Sequence, residues 1–331
     1  MDVQTTEGRA SGKVILFGEH AVVYGVGAIA AGISRGVRAR ARLAQQDSIS
    51  IGGESIEEGH QLYEALKNLR IELALKTVHL ELELEIPAGA GLGASAAMGM
   101  AAARALSALR SSPLPGKTGE EEKLSEKRLF LATQAWERVF HGNPSGVDVA
   151  AAQRPGALLF TRGHEPEPLL LQQALHLAIC QAGPPASTKQ MVNMVARFKA
   201  RNPAQFDRTL QGIAALVDNA NLLLRSGDLQ AVGKLLDLNH MLLASWMLST
   251  EEIEKACRLA REAGALGAKL TGAGGGGCVV ALAEPTRISG NESDPAEPIL
   301  KKWREAGLEC FSARVAQAPV EFFENQKDSK A

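Results

Sequence analysis

Between Leu80 and Leu109 the chain commits to a strand, a glycine turn and a helix in immediate succession. Leu80, Leu82, Leu84 and Ile86 alternate with Glu81, Glu83 and Glu85, a two-residue period that predicts a half-buried strand. Pro87 ends it. Gly89, Gly91 and Gly93 then permit positive φ and close backbone approach, so consecutive N–H groups can line a concavity suited to anionic oxygens. Residues 94–109, rich in alanine and free of proline, predict a helix whose N-terminus faces those glycines and adds unpaired donors and partial positive charge. Ser95, in the first turn, can offer a hydroxyl to a metal ion riding on bound phosphates. Taken alone, the segment serves equally well as a tight strand-to-helix connection with no ligand.

Two neighbouring signals fail. Gly116-Lys117-Thr118 resembles the end of a P-loop, but the glycine required five residues earlier is Ser111, within a polar, charged stretch. Nor do the three glycines make a dinucleotide fingerprint, which would need its last glycine at Ala94.

Bulk properties narrow the function classes. A chain of 331 residues with 45% hydrophobic and 22% charged content has the make-up of a globular protein of two ordinary domains. Its net charge of −1, with signs interspersed, supplies no electrostatic footprint for nucleic acid, and 4% aromatics leave little for base stacking. Cys180, Cys257, Cys278 and Cys310 lack CxxC spacing and histidine company, so they read as reduced core thiols rather than a zinc or redox site. With no apolar h-region in the first residues and no apolar run of bilayer-spanning length, a cytoplasmic protein without a membrane partner is expected. The sequon Asn291-Glu292-Ser293 then marks only an exposed loop.

Residues 12–17, apolar except for Lys13, predict a buried strand, and charged strand and loop residues follow to about Ser50. Leu62, Leu66 and Leu69 predict a short amphipathic helix; Leu129, Thr133, Trp136 and Phe140 predict another over 125–140, ending in the turn-rich residues 141–146. A break at 165–168 divides the chain into domains of residues 1–166 and 167–331. The second is expected to be mainly helical, over 188–200, 203–225, 228–246 and 251–263, the last opened by a capping box of Ser249 and Glu252. Residues 272–277, GAGGGG, lead into an apolar strand over 278–283, residues 284–298 read as a flexible excursion, and the tail beyond Asn325 as disordered.

Phosphoryl transfer needs charge neutralisation, a divalent metal and a positioned nucleophile, and several further residues could supply them. Lys13 must either snorkel to water or meet an anion. Glu19 and His20 stand at a strand exit, where α/β proteins bind ligands, although such a pair is more often structural. Glu137, beside Trp136 and a turn from Phe140, borders a buried stripe and needs a cation, with Arg138 or Arg128 as the plain candidates. Asp148 follows the turn Gly142-Asn143-Pro144-Ser145-Gly146 and is either an N-cap or a well-held base. The glycines from Gly272 form a bare loop or a surface packed closely on another backbone or a ligand. His240 and His79 read as helix-face and strand residues.

In this order, GKVILFGEHAVVYG (12–25), IPAGAGLGASAA (86–97), ERVFHGNPSGVD (137–148) and KLTGAGGGGC (269–278) resemble the mevalonate kinase branch of the galactokinase, homoserine kinase, mevalonate kinase and phosphomevalonate kinase superfamily. The resemblance implies an α/β (α+β), two-domain small-molecule kinase fold. Its N-terminal α/β domain would bind ATP and carry a left-handed βαβ unit, its C-terminal domain would be ferredoxin-like, and the site would lie in the cleft between them. It also implies Mg²⁺, ATP as co-substrate and mevalonate as acceptor. Lys13 would sit near the transferred phosphate, and Asp148 would orient or deprotonate the substrate hydroxyl. Pro87, Gly89, Ala90, Gly91, Leu92, Gly93, Ala94, Ser95 and Ala96 would wrap the phosphates, with Ser95 and Glu137 holding the metal. Glu19, His20 and Thr188 would place mevalonate, and Gly272, Gly274 and Gly275 would brace the phosphate loop. The chain departs from the family pattern at Ala94, commonly serine, and at Gly27, often proline. Residues 51–80 are short beside those of eukaryotic relatives, so adenine contacts do not transfer.

The rival readings are a kinase of the same fold for phosphomevalonate or another small alcohol, a non-catalytic nucleotide-binding relative, and a nicotinamide dehydrogenase. A silent relative has no chemical reason to keep Lys13, Ser95, Glu137 and Asp148 together, and the broken fingerprint disfavours the last. Any self-association is expected to be a homodimer.

Overall fold

A computed structural model describes residues 4–110, 124–141, 146–153, 156–285 and 294–316. The Gly116-Lys117-Thr118 segment, residues 142–145, the sequon and the tail beyond Asn325 lie outside these. In chain order the elements are β1 (Thr6–Phe17), a 3-10 turn (Ala21–Tyr24), β2 (Ala28–Leu43), β3 (Ser48–Ile51), β4 (Glu54–Ser55), α1 (Gln61–Glu72), β5 (Val78–Leu84), α2 (Ala94–Arg110), α3 (Glu126–His141) and α4 (Val147–Gln153). They continue with β6 (Gly156–Phe160), β7 (Glu167–Leu169), β8 (Leu175–Gly183), α5 (Thr188–Arg201), α6 (Pro203–Ser226), α7 (Leu229–Ser245), α8 (Glu251–Glu262), β9 (Gly267–Leu270), β10 (Gly277–Leu282), α9 (Glu297–Glu305) and β11 (Cys310–Val315). The chain divides into two compact units, one of Met1–Lys13, Arg35–Gly89 and Gly93–Arg154, the other of Val14–Ser34, Ala90–Leu92 and Pro155–Ala331.

In the first unit β5 pairs antiparallel with Val37–Leu43 of β2 and parallel with β3, so β3, α1 and β5 form a βαβ crossover. The leucine alternation holds at Leu80 and Leu82, which with Val78 turn inward onto Leu62, Leu66 and Leu69 of α1 and the alanines of α2, while the strand ends at Leu84, two residues short of Ile86. Burying those apolar faces, each worth about 25 cal/mol per Å² of area removed from water, holds α2 against the sheet. Trp136 of α3 closes the same core, fully buried.

In the second unit Ala28–Gly32 of β2 pair with β6, and β6 with β7. A separate four-stranded antiparallel sheet has the order β11-β8-β10-β9. Numbered by chain position that order is 4-1-3-2, with helices between the first and second and between the third and fourth strands, which is the ferredoxin-like arrangement. Trp303 of α9 is buried in this unit and donates its indole N–H to the Ala256 carbonyl at 2.9 Å.

Three details differ from the sequence reading. The half read as mainly helical also holds β8, β9 and β11. Glu297 and Pro298, placed in a flexible excursion, start α9, where proline suits the first turn because its missing N–H is not needed there. The cap of α8 is Thr250 rather than Ser249: its hydroxyl accepts from Ile253 N–H, while Ser249 donates instead to Glu254 at 2.6 Å. The four cysteines are free, with Cys180, Cys257 and Cys278 buried. Among the described residues no helix is long and apolar enough to cross a membrane.

Candidate active site

In the first unit, β5 delivers the chain to the glycine turn and α2 leaves it at Ala94. Gly93 has φ of 70°, and a Cβ there would lie 2.6 Å from Cγ of Lys13. Only glycine lets the lysine stem pass. Lys13, near the middle of the interval from Gly8 to Phe17 in β1, is 4% exposed, and its Nζ lies 3.1 Å from Oδ1 of Asp148. Of the two options for this lysine, the strand takes the anion. Asp148 sits in the first turn of α4 with about a third of its side chain open, so the pair keeps an accessible edge on the carboxylate side.

Ser95 and Glu137 form a second pair in the same unit. Ser95 Oγ donates to Glu137 Oε1, and the Ser95 carbonyl accepts from the Trp136 indole at 3.1 Å, so both ends of the serine are held by α3. Glu137 is 2% exposed, and its Oε2 is 3.7 Å from His141 Nε2. Arg128, one plain partner for it, donates to the Glu72 carbonyl instead. Burial pushes the Glu137 carboxyl up to about 7; the Ser95 hydrogen bond opposes the rise, the Asp148 charge adds to it and Lys13 opposes it. Lys13, Ser95, Glu137 and Asp148, scattered over 135 positions of sequence, thus share one locality of the first unit.

The Ser95–Glu137 donor set suits a hard cation. Two oxygen ligands face each other, one a buried carboxylate whose charge lacks a full counter-charge. Among the described residues no group of three or more His, Cys, Asp or Glu side chains is placed to hold a metal. A site with one carboxylate and one hydroxyl therefore matches an ion that takes its other ligands from water and phosphate, as Mg²⁺ does.

In the second unit the tip of the glycine turn, Ala90–Leu92, meets the other glycine cluster backbone to backbone: a Cβ on Gly272 would fall 3.2 Å from the Gly91 carbonyl oxygen. Gly274 lies against Leu248, and Gly275 against Met191 and Ala186, which flank the exposed Thr188 at the start of α5. His20 is buried with φ of 58°, and its Nε2–H donates to the Ala273 carbonyl at 2.8 Å. Burial lowers its pKa, so the neutral ring with a bare Nδ1 is favoured. Glu19 is buried with both oxygens engaged, Oε1 by Lys269 and Oε2 by Asn239. Neither partner was singled out from the sequence. Lys269 carried the same signal as Lys13, a lysine in an otherwise apolar strand; Asn239 carried only a polar break in a buried helix face.

Residues 60–156 match the family described as GHMP kinases N terminal domain, and residues 220–309 match GHMP kinases C terminal. A mevalonate kinase of Pyrococcus horikoshii is 35% identical over 300 residues, covering 83% of this chain and 87% of that protein. One from Aeropyrum pernix is 30% identical over 323 residues, covering 93% and 95%. Among solved structures, that of L. major mevalonate kinase in complex with R-mevalonate aligns with a TM-score of 0.80 at 31% identity, covering 95% of this chain and 96% of that one.

Proposed function

We propose that this chain, which belongs to the mevalonate kinase family of the GHMP kinases, transfers the γ-phosphoryl group of ATP to the C5 hydroxyl of (R)-mevalonate. The product is 5-phosphomevalonate, an intermediate of the mevalonate pathway to isoprenoids. The observation that carries the reading to particular atoms is the ion pair of a buried lysine and a half-open aspartate beside a glycine turn that opens a helix. The attacking oxygen forms a bond to phosphorus in line with the breaking bond to the ADP oxygen. Asp148 accepts the hydroxyl proton, and Lys13 lies against the equatorial oxygens that carry the developing charge. Backbone N–H groups of residues 89–96 receive the β- and γ-phosphates. Ser95 and Glu137 would hold Mg²⁺, which would supply neutralisation of phosphate charge. His20 contributes an acceptor nitrogen to mevalonate, Thr188 is assigned to the same substrate, and the loop from Gly272 braces the phosphate loop at Gly91. We assign the protein to the cytoplasm, where its four free thiols remain reduced.

Coupled ADP release with mevalonate, phosphomevalonate and galactose in parallel tests the reading. Turnover confined to mevalonate is expected, and turnover with phosphomevalonate alone would move the chain to the neighbouring reaction. For the metal assignment, Ser95→Ala is expected to raise the Mg²⁺ concentration giving half-maximal rate by about tenfold. An unaltered metal dependence would remove Ser95 from the ligand set.

A further inference from the structure

Glu19 is poorly placed to touch a substrate. Its carboxylate is 1% exposed, with Lys269 Nζ on one oxygen and Asn239 Nδ2 on the other at 3.1 Å. Lys269, wholly buried, also donates to the carbonyls of Leu270 at 2.7 Å and Ile15 at 3.3 Å, tying β9 to the end of β1. Thr271 repeats that tie in both directions, accepting from Ile15 N–H at 3.0 Å and donating to the Ile15 carbonyl at 3.2 Å. His240, next to Asn239 on α7, accepts from Leu270 N–H at 3.3 Å through Nδ1, which leaves its Nε2–H for Glu254 at 3.0 Å. Helix α7 therefore grips the acid with one residue and the strand carrying its lysine with the next.

A buried ion pair of this kind adds little net stability compared with apolar packing, so its presence asks for another reason. The backbone supplies one. His20, the residue after Glu19, holds a left-handed φ of 58°, which a non-glycine residue keeps only where its surroundings over-determine it. Its Nε2–H is committed to the Ala273 carbonyl, two residues beyond Thr271. That fixes Nδ1 as the free acceptor. Asn239 adds a further sign of constraint: its amide nitrogen is spent on Glu19 while its Oδ1 is buried without a hydrogen-bond partner, an unfavourable orientation that the carboxylate dictates.

We propose that Lys269 and Asn239 are positioning residues for the alcohol substrate, which clamp Glu19 so that His20 presents Nδ1 as a hydrogen-bond acceptor to a substrate hydroxyl. Glu19 acts through His20 and does not itself contact mevalonate. The inference rests on the mevalonate-phosphorylating reading above.

Steady-state kinetics of Asn239→Ala tests it. The KM for mevalonate is expected to rise about tenfold or more while the KM for ATP stays within about twofold. A role in folding alone would lower Tm and the active fraction and leave both KM values unchanged, and that result overturns the proposal. So would an equal rise in both. Lys269→Met by itself strands a buried charge, so the informative charge variant is Glu19→Gln with Lys269→Met, which removes both charges together. The same selective rise in mevalonate KM is expected from this double variant, and a wild-type KM in it contradicts the clamp. Wild-type enzyme that releases no ADP with mevalonate would instead sink the functional reading, which the control arm reveals separately.

Discussion

Replacing Asp148 by asparagine is expected to lower kcat by roughly two to four orders of magnitude while ATP binding is nearly unchanged. The carboxylate lies 3.1 Å from the Lys13 ammonium and keeps an open side, as the proposed roles of proton acceptor for Asp148 and phosphoryl partner for Lys13 require. An amide of the same shape can orient the hydroxyl but cannot take its proton. Lys13→Met should cost a similar factor for a different reason, because it removes the positive charge where negative charge grows in the transition state. Both are read from ADP release at saturating substrates, with ATP affinity measured by calorimetry. Unchanged turnover in either variant would remove its assigned role.

The second large effect concerns Glu137, where function and stability should part. Its folded-state pKa of about 7 lies above the ordinary 4.5, chiefly because the carboxylate is buried. Below pH 4.5 the group is protonated in both folded and unfolded chains and costs nothing. As pH rises toward 7 the unfolded chain ionises first, and the folded state loses stability, by about 3 kcal/mol once both forms are charged. Glu137→Gln keeps the shape and an acceptor for Ser95 but carries no charge. Without nucleotide, the variant is expected to melt about 5 °C above the wild type at pH 8, with the gap narrowing as pH falls and closing below about pH 4.5. Its use of Mg-ATP should fall sharply because the carboxylate assigned to the metal is gone. A variant less stable at pH 8, or one with wild-type metal dependence, would contradict the assignment of Glu137 as a buried ligand held ready for a cation.

How far the sequence revealed the fold followed from the range of the interactions. Helices α2, α3, α5, α6 and α7 were readable within a residue or two because their boundaries depend on local proline, glycine and apolar spacing. Strand β5 was readable because one face meets water, which leaves a period of two. Strand β8 was not. It lies inside its sheet between β10 and β11, and LHLAICQAG shows no clean alternation to tell it from a buried helix segment. Strand β9 has only four residues.

For the site, residue types alone name candidates but not partners; it is the resemblance that sets Ser95 and Glu137 on one metal and Lys13 and Asp148 at one transferred group. Lys13 was marked as needing an anion, yet Asp148, its partner, is 135 positions away. Glu137 borders a buried stripe and, from its neighbours alone, points to an arginine; the resemblance sets it beside Ser95, and its observed contacts are Ser95 and His141. Glu19 was linked to substrate through the resemblance, and its clamp by Lys269 arises 250 positions later. Charges inside apolar strands announce that a partner exists; only the fold says which.

Lys13 and Asp148 are assigned to act as one unit on the transferred group, and the single-turnover rate of the Lys13→Met, Asp148→Asn double variant tests this most directly. Groups that work together in one transition state are strongly non-additive, so the double variant should be little slower than the slower single variant. A double variant slowed by the full product of the two single losses would show that the lysine and the aspartate act independently, and would contradict the account.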